Sequence, residues 1–270
     1  MIKSKHFNYI KSFSFIFLII LFLIVAQKNI YAQQFSRKPE WMDNFSRSGT
    51  IDSDNWNYHV GKFSNYEEYY TYSIGNVFVK NGKLHIVATK DRRSDRICSS
   101  GRINTLGKKS FLYGKLEIKA KVPTGQGIFP AIWMLRVDHP QVFPLGEIDI
   151  MEYIECFNKK EYCTTTHIVE KVSEGKEKRH KHSKQVSANM NKYHIFSLEW
   201  TPNALVYKLD RKVVYLLDKN EAEYWPFDAP YYLILNVAYG NWGAACGTDD
   251  SIFPCEMLVD WIRYYSLIEK

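Results

Sequence analysis

The 270-residue chain has no Cys-x-x-Cys, and His180 and His182 sit in a charged stretch rather than on a regular scaffold, so a metal-held small fold is not expected. It has no long apolar repeat of helical period, which excludes bundles and coiled coils. It also has no basic patch interleaved with aromatics. The formal charge of +7 falls to +3 once the four lysines of residues 1–32 are set aside, and a nucleic-acid groove is not expected.

One apolar run stands apart. Phe13 to Ala26 is preceded by Lys3, Lys5 and Lys11 and followed by Ile30-Tyr31-Ala32. It is short for a bilayer span and has the layout of an export signal cleaved before Gln33, with no cysteine-containing lipoprotein box. Residues 1–32 are therefore expected to be a signal peptide. Residues 33–270 are expected to be one secreted or periplasmic domain, monomeric and free of the membrane. Five cysteines in an exported chain invite disulfides. The short loops favour Cys156–Cys163 and Cys246–Cys255, each worth roughly 2–3 kcal/mol, with Cys98 unpaired; five reduced, buried thiols are the alternative.

Short period-two or apolar runs bounded by turn residues fill the rest: Asn76 to Val79, Lys83 to Thr89, Gly114 to Val122, Ala131 to Leu135, Glu147 to Tyr153, His194 to Trp200, Ala204 to Leu209, Lys212 to Leu217, Tyr231 to Ala238 and Met257 to Tyr265. Asn81-Gly82 between two such runs reads as a hairpin. The rhythm is all-β, with two packed antiparallel sheets. Aromatic content of 16% supplies ample core for a single sandwich. The polar, basic stretch Lys171 to Lys184 reads as an exposed loop; a contact between its lysines and sulfated or sialylated sugar is the minority reading.

Within this pattern Gly146-Glu147-Ile148-Asp149-Ile150-Met151-Glu152-Tyr153 places three carboxylates in six residues of an apolar strand. Alternation puts Glu147 and Asp149 on one face and would send Glu152 to the other. A bulge at Ile150-Met151 restores the phase, and bulges recur beside active sites. Retaining hydrolysis of a glycosidic bond needs one carboxylate as nucleophile and a second, protonated carboxyl as acid and then base, roughly 5–5.5 Å apart. Glu147 and Glu152, on the order of 13 Å apart at their α-carbons, would converge over the shorter Asp149. The charges of Asp149 and Glu147 would help keep Glu152 protonated. A solvated acidic sheet face is the bland alternative.

With these acids and the segments Asp54-Asn55-Trp56-Asn57-Tyr58, Gly101-Arg102-Ile103-Asn104-Thr105, Ser110-Phe111-Leu112-Tyr113-Gly114-Lys115, Pro130-Ala131-Ile132-Trp133-Met134-Leu135, Trp225-Pro226-Phe227-Asp228 and Leu233-Ile234-Leu235-Asn236, the chain resembles a family 16 glycoside hydrolase of the laminarinase type from about Trp41 to Tyr265. The resemblance implies a curved β-jelly roll with a concave substrate cleft. It makes Glu147 the nucleophile, Glu152 the acid/base and Asp149 the residue that tunes the pair. It also places Trp133 beside the acids as a sugar platform, Arg102 and Asn65 on the non-reducing side, and His167 close to the acid/base, with Trp242 a second platform. No cofactor enters this chemistry. A structural calcium is possible through Asp43 and Asp260, although Asn44 stands where the family has a glutamate.

Phe143-Pro144 replaces the family's Trp-Pro before the acids, the Tyr239-Gly240-Asn241-Trp242 segment is one glycine short, and the two proposed disulfide loops are not general to the family. A smaller ring at Phe143 leaves room for an axial hydroxyl. By weight of the family resemblance the expected substrate is a β-1,3- or mixed-linkage β-glucan, and Phe143 admits as the alternative a β-galactoside such as poly-N-acetyllactosamine, keratan, a mucin glycan or an algal galactan. A non-catalytic carbohydrate-binding jelly roll is the rival from another class, and the three retained acids argue against it. A transglycosylase would share the same intermediate.

Overall fold

In the computed structural model the described residues are 35–64, 66–91, 95–138, 145–155, 161–173 and 176–268. The export segment, Asn65, Phe143 and Cys156 lie outside them. Two antiparallel sheets form the expected sandwich. The first has seven strands, ordered in space Lys176–Ser187, Glu161–Ser173, Gly146–Glu152, Ile128–Arg136, Tyr231–Tyr239, Arg102–Asn104 and Asn57–Tyr58. The second has eight and runs from Lys212–Asp218 at one edge to Val77–Lys80 at the other; a short three-stranded sheet joins Gly61–Lys62, Glu68–Tyr70 and Cys98–Ser100. Among the described residues no helix is long and apolar enough to cross a membrane.

Period-two patterning decides which way each side chain faces. On Tyr231–Tyr239, Tyr231, Leu233, Leu235, Val237 and Tyr239 enter the core between the sheets, while Tyr232, Ile234, Asn236 and Ala238 face the other side of the strand. Both faces are buried along this strand and along Ile128–Arg136, because loops wall the outer face of the seven-stranded sheet. The Asn81-Gly82 hairpin forms as expected, with φ of 53° and 68° between paired Lys80 and Lys83.

Lys171 to Lys184 departs from expectation. The polar stretch is mostly strand: Lys176–Ser187 pairs antiparallel along its length with Glu161–Ser173 and forms the edge of the cleft sheet. It has no apolar period because it leaves the core, and lysines are the residues that edge strands carry against unwanted pairing. The two short-loop disulfides are also corrected. Cys163 and Cys255 are buried free thiols, as is Cys98, while Cys246 is disulfide-bonded. Cys163 and Cys255 each sit on a strand, and burial pushes their thiols up to about 11 and about 12.

The residues expected at a calcium ion do not fit one. Asp43 accepts from Phe45 N–H at 2.8 Å and from Trp56 Nε1 at 2.8 Å. Asp260 is turned to Lys119 Nζ at 2.7 Å and Lys83 Nζ at 3.9 Å. These N–H and ammonium donors use the oxygens that a hard cation would need.

Candidate active site

The acid strand opens at Gly146, where the packing admits no side chain. A Cβ there would lie 2.4 Å from Tyr231 Oη and 2.7 Å from Pro226 Cγ. From this anchor the strand runs in register until its bulge. Against Ile128–Arg136, Met151 faces Ile132 and Asp149 faces Trp133, leaving Ile150 without an opposite number. Against Glu161–Ser173, Asp149 faces Thr165 and Glu152 faces Cys163, so three steps on one strand match two on the other. Ile148, Ile150 and Met151 all enter the core. Burying both bulge residues stabilises this phase by roughly 1.5–3 kcal/mol each. Glu147, Asp149 and Glu152 then line one cavity of about 290 Å³.

Burial raises the pKa of all three acids. Glu147 is pushed up to about 7, first by burial and then by the charge of Glu152; a hydrogen bond with Asp149 and the positive charge of Arg102 oppose the rise. Asp149, 1% exposed, is raised well above the usual range by burial and by both glutamates. Two carboxyl groups share a hydrogen bond only when one is protonated, so Asp149 holds the proton against Glu147. Glu152 is raised by burial, with its hydrogen bond to Thr165 and the charge of Lys181 opposing. The expected cause is thereby revised. Desolvation, rather than the charges of Asp149 and Glu147, is what raises Glu152. Glu147 Oε2 is buried without a hydrogen-bond partner, a condition that calls for a catalytic explanation.

Four of the six expected binding residues lie in this cavity; Asn65 and Phe143 fall outside the described residues. Trp133 sits directly across from Asp149 and donates from Nε1 to Asn236 Oδ1 at 2.7 Å. Arg102 lies between two rings, 3.8 Å from the Phe63 centroid and 4.9 Å from that of Trp133, with Nε and Nη1 unpartnered. His167 faces Glu147 across the strands, its Nε2 is 3.5 Å from Asp149 Oδ2, and it lines the same cavity as Glu152. Burial and Lys181 lower its pKa to about 4, which leaves the ring neutral. Trp242 is 65% exposed on a short 3-10 turn at the cavity rim. A large ring held open to water beside a polar cleft suits stacking on a sugar face.

Sequence reasoning missed the wall opposite, where Phe63, Tyr66 and Phe129 stack at centroid spacings of 6.5 and 6.1 Å. It also missed Asn236, Thr165 and Lys181. The signal for Asn236 was present, since it is a lone amide at the cleft phase of an otherwise apolar strand. Among the described residues Glu147, Asp149 and His167 form the one group of ligand-type side chains whose atoms all lie within 4.8 Å of one another. A cation held there would occupy the oxygens that the glutamate chemistry requires, so the group is read as a catalytic set.

Comparison with known proteins agrees with this geometry. The family model described as "Glycosyl hydrolases family 16" matches residues 64–263. A beta-glucanase of Rhodothermus marinus is 36% identical over 253 residues, covering 85% of this chain and 85% of its own length. A keratan-sulfate endo-1,4-beta-galactosidase of Sphingobacterium multivorum is 31% identical over 240 residues, covering 84% of this chain and 54% of that protein. The X-ray structure of the laminarinase from Rhodothermus marinus superposes with a TM-score of 0.76 at 32% identity, over 88% of this chain and all of that one.

Proposed function

Because the chain belongs to glycosyl hydrolase family 16 and is an endo-acting glycoside hydrolase, we propose that it is a secreted, retaining enzyme that cleaves β-1,3- or mixed-linkage β-glucan. The observation that carries the chemistry is the single extra residue, Ile150, that turns Glu147, Asp149 and Glu152 into one cavity. Glu152, whose pKa burial raises, delivers its proton to the leaving oxygen while Glu147 attacks the anomeric carbon. Glu152 then takes a proton from water as the water displaces Glu147 from the sugar. Arg102 favours the ionised nucleophile, and Asp149 steadies it through their shared hydrogen bond. Water and two carboxyl groups complete the reaction, so no cofactor is called for. The lysine-flanked apolar run before Gln33 supports export.

A β-galactan is the second reading, favoured by Phe143 in place of tryptophan and by the similarity to the keratan-sulfate enzyme. Incubating purified protein with laminarin, lichenan, agarose, keratan and mucin, and sizing the products, separates the two. Short oligosaccharides from laminarin or lichenan are expected. Cleavage of the galactose polymers alone would overturn the glucan reading, and products longer than the substrate would mark a transglycosylase.

A further inference from the structure

The two flanks of the cavity differ in chemistry. On one side of the acid strand stand Phe63, Tyr66 and Phe129, surfaces suited to bare sugar faces. On the other side lie the strands Glu161–Ser173 and Lys176–Ser187, which contribute Thr165, His167 and Lys181. Lys181 pairs in register with His167, so both project toward the cavity. Lys178 and Lys184, each three residues away and in the opposite phase, face the other side and suffice for edge protection.

Among the described residues Lys181 is exposed and forms no ion pair, whereas Arg102, the other lysine or arginine lining the cavity, is 6% exposed and enclosed by rings. Of the three acids, an ionised Glu147 repels an anionic glycan unless a cation offsets it. An uncovered ammonium two strands from those acids, about 10 Å across the sheet, supplies that cation on the flank away from Arg102.

We propose that Lys181 receives an anionic substituent, a sulfate ester or a carboxylate, carried by a sugar bound on the edge-strand flank of the cavity, away from Arg102. The inference rests on the endo-hydrolase reading and refines it. Initial rates are measured for the wild type, Lys181→Ala and Lys181→Arg on matched pairs: laminarin and sulfated laminarin, desulfated keratan and keratan sulfate, asialo- and sialylated mucin. The readout is the ratio of kcat/KM for the charged member to that for the neutral one. At low salt the alanine variant is expected to lower this ratio about fivefold, arginine to restore it, and added salt to erase the difference. Whichever pair responds identifies the anion. An unchanged ratio in an active alanine variant overturns the proposal, as does an equal loss on both members with a shifted pH profile. Failure of the wild type to cleave any polymer would instead sink the hydrolase reading, and this proposal with it.

Discussion

Replacing Glu147 by glutamine should remove activity and, above neutral pH, strengthen the fold. The residue is half-buried with Oε2 sealed from water, and its pKa is raised from 4.5 to about 7. Between these values the folded protein holds a proton that the unfolded chain has released, so stability falls as pH rises through this window. At pH 8 the buried charge costs about 3 kcal/mol; below pH 4 it costs almost nothing. An amide of the same shape carries no such charge. Glu147→Gln should therefore melt roughly 5–10 °C above the wild type at pH 8 and close to it at pH 4, with turnover lower by at least roughly 10³-fold. Thermal denaturation followed by circular dichroism at the two pH values, beside a reducing-sugar assay, measures both effects. Equal melting shifts at pH 4 and pH 8 would refute the electrostatic argument. Retained turnover would refute the role of nucleophile.

Deleting Ile150 restores strict alternation and turns either Glu152 or the core residues beside it the wrong way. Loss of activity with a destabilisation of roughly 3 kcal/mol or more is expected, and wild-type turnover in the deletion variant would remove the bulge from the mechanism. Trp242→Ala, at a rim position 65% exposed, should raise KM about tenfold with kcat and melting temperature nearly unchanged; an unaltered KM would show that the ring meets no sugar.

Much of this protein was legible because its strands are short and amphipathic. The expected run Ala204 to Leu209 coincides with the observed strand, and Tyr231 to Ala238 differs from Tyr231–Tyr239 by one residue. The bulge was legible too, since only one extra residue reconciles three acids with one face of a strand whose other residues are apolar. The edge strand Lys176–Ser187 was not. Its residues report neither burial nor period, and what holds them in a strand is backbone pairing with a neighbour whose own position depends on the whole sheet.

By itself, then, the sequence determined an all-β sandwich and the identity of the three acids, because alternation and residue chemistry are local properties that need no partner. Tertiary structure decided the rest. It set Trp133 opposite Asp149 and gave its indole to Asn236, 103 residues away. It paired His167 with Glu147 across the strands, left Cys163 and Cys255 as free thiols, and brought Lys181 to the cavity. Desolvation raised the pKa of all three acids, and desolvation is a property of everything packed around a group. No local reading of Glu152 contains the walls that keep it dry.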